Sequence, residues 1–115
     1  MRQNSIRACW IFWQANAKDV TVNATNFDAF KADALAAGFD EALERYWAPD
    51  TVLDTHSHAF TAEAVVTQGE MWLTCGDETQ YLTPGGTFKL APNVPHSERY
   101  GPQGATYWVA RRNVA

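Results

Sequence analysis

The sequence predicts an all-β domain, a closed barrel or jelly-roll of about eight short strands preceded by one short helix. Two observations carry this. Past Gly38, turn signals recur every eight to twelve residues or so: Ala48-Pro49-Asp50, Gln68-Gly69, Gly76-Asp77, Pro84-Gly85-Gly86, Pro92-Asn93-Val94-Pro95 and Gly101-Pro102-Gln103-Gly104. Before it, Phe27, Phe30, Ala34 and Leu35 recur at helical spacing, with Asn26 placed to cap the start and Gly38 to end the run.

Residues 1–24 are expected to form an N-terminal arm or edge strand, and 25–115 a single barrel domain with its helix near 27–37 and its strands within 39–112. The run Cys9–Trp13 is the most apolar in the arm. It reads as a strand that pairs with a neighbouring subunit's sheet edge or as an ordinary first strand over its own core. Strands are expected near 39–47, 51–58, 62–67, 70–75, 78–82, 87–91, 96–100 and 105–112. Closing them into a barrel removes most exposed edges, and the helix is expected to cap one barrel end.

A chain of 115 residues supports one hydrophobic core and not two. The first eighteen residues hold Arg2, Arg7 and Lys18 without an acid, so a net charge of −4 leaves −7 on the remainder. An acidic body argues against a polyanionic partner such as nucleic acid. No membrane span is expected. Cys9 and Cys75 have no metal-type spacing, and their plain reading is a reduced, cytoplasmic protein. Ala15-Asn16-Ala17 has the form of a signal-peptidase site, but the apolar run before it is too short for a signal peptide.

The chain owns three histidines: His56, His58 and His96. On a strand, a His-x-His pair puts both imidazoles on one side of the sheet, and a third from another strand completes a facial set. Imidazole is a common ligand of mid-row divalent ions, and three leave open positions for substrate or water. By parity with His96, Glu98 and Tyr100 face the same side. Glu98 is a candidate to orient an imidazole or to act as a general base, and Tyr100 a wall residue whose hydroxyl holds a polar substrate group. Of Arg111 and Arg112, an anion contact can use at most one, because neighbouring strand residues face opposite ways.

These residues resemble the two motifs of the cupin superfamily over about 39–112. The first is represented by His56-Ser57-His58, Glu63 and Gly69; the second runs from Gly86 through Pro92 to His96, opened by the turn Pro84-Gly85-Gly86. The resemblance implies a double-stranded β-helix, or jelly-roll, and a bound divalent metal, Fe, Mn, Ni or Zn. It implies ligation by His56, His58 and His96, with Glu63 provisional. The register is the difficulty: counting back from Gly69 puts Ala62 where the motif has its glutamate, and a one-residue slip turns a side chain to the other face unless a bulge intervenes. Tyr100 stands where the second motif has asparagine. The resemblance implies a small-molecule ligand or substrate and dioxygenase, isomerase or lyase chemistry. The alternative is a non-catalytic binding or sensing module, and a homodimer is expected in either case.

Overall fold

A computed structural model describes residues 26–113. The arm expected over 1–24, with Cys9, lies outside them. Helix α1 (Phe27–Ala36) starts where the Asn26 side chain accepts the Ala29 N–H at 2.8 Å. It ends in a Schellman-type turn: Gly38 takes φ +99°, and the Phe39 N–H reaches back to the Ala34 carbonyl. The helix does not cap a barrel end. Phe30 and Ala34 instead pack with Phe39, Ala42, Val65 and Ala110, on the outer face of the sheet.

Six strands follow: β1 (Glu41–Trp47), β2 (Val52–His56), β3 (Phe60–Cys75), β4 (Glu78–Leu82), β5 (Thr87–Leu90) and β6 (His96–Asn113). Six stand where eight were expected, because two expected turns are bends inside continuous strands. Both β3 and β6 turn a corner midway and cross from one half of the barrel to the other. Their early and late parts pair antiparallel with each other, Phe60–Gly69 on Ala105–Asn113 and Met71–Thr74 on Ser97–Tyr100. The first half is then ordered β1, late β6, early β3, β5; the second is β2, early β6, late β3, β4. This antiparallel jelly-roll is the predicted fold class.

The corners need glycine for space as well as conformation. Gly69 has φ +77°, and a Cβ there would sit 2.0 Å from the Gly104 carbonyl oxygen; one on Gly104, at φ +72°, would sit 2.3 Å from that of Trp47. The register slips across each corner and reverses the facing. Inward on β3 are Ala62, Ala64 and Val66 before the corner and Met71, Leu73 and Cys75 after it. Cys75 carries no free thiol. That corrects the reading of two reduced cysteines and removes its argument for a reducing compartment. Among the described residues, no helix is long and apolar enough to cross a membrane.

Candidate metal centre

The inward face of early β6 carries His96, Glu98 and Tyr100, as the alternation from His96 requires. β2 brings His56 opposite His96 across the ladder. His58 lies just past β2, where its carbonyl accepts the Asn93 N–H at 2.7 Å. Asn93 holds φ +64°, a left-handed conformation asparagine tolerates, and so ties the Pro92–Pro95 turn to the His-x-His segment. The two halves of the site are thereby fixed to one another.

Donor atoms from His56, His96 and Glu98 lie within 4.8 Å of one another. Glu98 Oε2 is 3.3 Å from His56 Nε2 and 3.4 Å from His96 Nε2. Each Nδ1 is already engaged: that of His56 lies 2.6 Å from the Asp54 carbonyl oxygen and that of His96 2.8 Å from the Val94 carbonyl oxygen. A carbonyl only accepts, so Nδ1 carries the proton and the Nε2 lone pair faces the shared space. His96 Nε2 is buried without a formed hydrogen bond, and so is His58 Nδ1. Buried lone pairs beside a buried carboxylate suit a cation, so these residues fit a divalent metal.

His58 stands at the edge of the cluster. Its ring is 4.9 Å from that of His96 and 6.2 Å from that of His56, and it stacks on Phe60 at 4.1 Å. Burial, aided by the nearby His96, pushes its pKa below the usual imidazole range, which favours the neutral form that a ligand needs. Burial alone would raise the Glu98 carboxyl, but His96, a hydrogen bond from Tyr100 and His56 outweigh it and hold it below the usual range when the imidazoles are protonated. Tyr100 donates to Glu98 Oε1, leaving Oε2 toward the imidazoles. It stacks on Trp47 at 5.4 Å, and Trp47 donates to the Tyr107 hydroxyl at 3.2 Å. Burial pushes both tyrosine hydroxyls up, so they act as donors and not as charges.

Glu63 is not brought to this cluster. Ala62, its neighbour, lines the cavity with the histidines, as counting back from Gly69 indicates. Glu63 faces the other way, 3.1 Å from the Lys89 ammonium and 2% exposed. No bulge intervenes before Ala62, so the alternation of early β3 runs unbroken from Phe60 to Val66. Glu98, placed on the correct face by parity but read as an orienting group or base, is the carboxylate among the potential ligands. Arg45 also lines the cavity, and no motif pointed to it. A signal was present: in Leu43-Glu44-Arg45-Tyr46-Trp47 the arginine alternates with inward apolar residues.

The histidines open onto a cavity of about 180 Å³, walled by Leu53, Phe60, Phe88 and Leu90. A wider groove of about 440 Å³, flanked by Trp72 and Arg99, includes none of the histidines.

The fold and the clustered imidazoles and carboxylate define the class, a small-barrel protein of the cupin superfamily. Residues 38–111 match the AraC-like ligand binding domain, and the chain belongs to that family. No curated protein matches the sequence. A chain from the crystal structures of two DMSP lyases is 21% identical, with TM-score 0.60 over 64% of this chain; the match spans only 38% of that chain. An RmlC-like cupin from Shewanella frigidimarina is 20% identical, with TM-score 0.58 over 64% of this chain and 66% of its own. Oxalate decarboxylase of Bacillus subtilis, a protein with Mn(II) centres, is 18% identical, with TM-score 0.59 over 72% of this chain and 24% of its own. At these identities the likeness establishes the fold.

Proposed function

We propose that the chain is a metal-binding cupin that acts on a small oxygenated organic molecule. The observation that carries this is the convergence of His56, His96 and Glu98, with both Nδ1 atoms already engaged by backbone carbonyls. Two imidazoles and a carboxylate, with His58 beside them as a third imidazole, suit Fe, Mn, Ni or Zn. When bound, such an ion polarises a substrate oxygen as a Lewis acid. The rest falls to this chain's residues. Tyr100 keeps its proton on the hydrogen bond to Glu98 Oε1 and so orients Oε2. Leu53, Phe60 and Leu90 exclude water from one side of the cavity. Dioxygenase, isomerase and lyase chemistry all suit such a site; the Mn(II) centres of oxalate decarboxylase support a metal-dependent reading, and the DMSP lyase likeness a lyase one.

Elemental analysis of untagged protein purified without chelator tests it. About one equivalent of a divalent metal is expected, falling below roughly a tenth in His56→Ala. Metal content unchanged by that substitution would sink the reading. A second reading, a ligand-binding module without turnover, is favoured by the match to a ligand-binding domain. It is separated by recovering the bound small molecule: chemical change on incubation marks the enzyme, unaltered release the module.

A further inference from the structure

The cavity beside the histidines is lined by two guanidinium groups, Arg45 of β1 and Arg111 of β6, and by one carboxylate, Glu98. The ladder places them. Arg45 sits opposite Tyr107 in the ladder, and both line the cavity. Arg111 sits opposite Glu41 on one side and Ala62 on the other. At Ala62, where the cupin motif has a glutamate, a methyl group leaves room beside the Arg111 guanidinium and no negative charge to meet it. Arg112 faces the opposite side, over the Phe39 ring at 4.3 Å.

Among the described residues, Arg45 has no carboxylate partner and Arg111 has one at the rim. Arg45 lies over the Trp47 ring at 4.8 Å and Arg111 over the Phe60 ring at 4.6 Å. Arg111 pairs with Glu41 at 3.4 Å, a half-exposed carboxylate. The Arg111 Nε is buried and has no acceptor among the described residues. A buried donor without an acceptor is uncommon in a finished interior. The whole chain carries −4, so this concentration of positive charge is local.

We infer that the cavity takes a small carboxylate, gripped by Arg111 and Arg45 at one end while the remainder of the molecule points toward His56 and His58. A guanidinium presents a planar fork that matches a carboxylate with two parallel hydrogen bonds. The phenyl ring of Phe60 supports one face of that fork and the apolar wall accepts a short carbon skeleton. The volume, about 180 Å³, is below that of ordinary drug-sized pockets and restricts the ligand to a few carbon atoms.

The inference rests on the small-molecule site proposed above but not on its metal. Calorimetric titration of the full chain, both chelator-treated and loaded with Mn(II), uses malonate, its neutral isostere malonamide and inorganic phosphate. Malonate is expected to bind at least about tenfold more tightly than either of the others. Arg111→Gln is expected to weaken malonate about tenfold and Arg45→Gln less, with Arg111→Lys recovering only part, because an ammonium lacks the fork. Far-ultraviolet circular dichroism checks that each variant is folded, and Mn(II) uptake by the same variants is expected to be unchanged. The inference is overturned if malonate and malonamide bind equally, if phosphate binds more tightly than malonate, if both glutamine variants retain malonate affinity, or if no malonate binding is detected. Equal malonate affinity with and without Mn(II), still lost in Arg111→Gln, would support the carboxylate site and count against the metal reading alone.

Discussion

Strands β3 and β6 are built alike and used differently. Each is long, bends at a glycine and contributes to both halves of the barrel. Yet the inward face of β3 is apolar throughout, from Ala62, Ala64 and Val66 to Met71 and Leu73. That of β6 carries His96, Glu98, Tyr100, Tyr107 and Arg111. One strand supplies core and its neighbour supplies chemistry. Because paired strands share a face, a carboxylate can enter the same interior from either strand. The carboxylate that converges with the imidazoles comes from β6, two residues beyond a histidine, and not from β3 as expected.

What the two strands share is tested most severely at the corner. Gly69→Ala would force a Cβ at a positive φ into the Gly104 carbonyl and the Ala105 Cα, backbone atoms that cannot swing aside as a side chain would. A loss of more than about 3 kcal/mol is expected in urea unfolding, enough to unfold a marginal domain. Gly85→Ala is the control: φ is +93°, but a Cβ there meets nothing within 4 Å. Only the conformational cost of about 1–2 kcal/mol should appear.

The difference between the strands is tested by Glu98→Gln. It keeps the shape and removes the one carboxylate that the described residues bring to the cluster, and metal affinity measured by competition titration should fall by about a hundredfold or more. Adding Ala62→Glu to that variant would place a carboxylate on the inward face from β3, where the cupin motif has one. Partial recovery is expected, and no recovery would mean that the two strands are not interchangeable. Tyr100→Phe is a smaller perturbation. Glu98 loses the donor on Oε1 while Oε2 stays beside the imidazoles. Metal affinity should fall about tenfold, with about 1–2 kcal/mol of stability lost to an unsatisfied buried oxygen.

The sequence made the barrel legible because alternation and turn residues are local signals. It misread the two corners for a physical reason. Gln68-Gly69 and Gly101-Pro102-Gln103-Gly104 have the composition of hairpin turns, and only the partner strand decides whether the chain reverses or bends and continues. Parity held within each half of β6: it placed Glu98 and Tyr100 on the face of His96 and allowed one of Arg111 and Arg112 a pocket. That His58 stands apart from the His56–His96–Glu98 group was not legible, since β2 ends at His56 and the next residues follow a loop held by Asn93. Arg45 was missed because a single arginine on a strand looks like a solvated charge until its neighbours are known to face inward.

The least effect on the site is expected from the residue the motif would place in it. Glu63→Gln alters a side chain on the far face of β3, paired with Lys89 and separated from the cavity by the strand itself. Metal affinity should change by less than about twofold, because neither the convergence of His56, His96 and Glu98 nor the Tyr100 hydrogen bond depends on it. Stability should respond instead. Removing the charge leaves the Lys89 ammonium, itself only 10% exposed, without the carboxylate 3.1 Å away, which costs about 3 kcal/mol for a buried pair. A variant that loses metal while keeping its unfolding midpoint would reverse the assignment, since it would require Glu63 and not Glu98 to face the imidazoles.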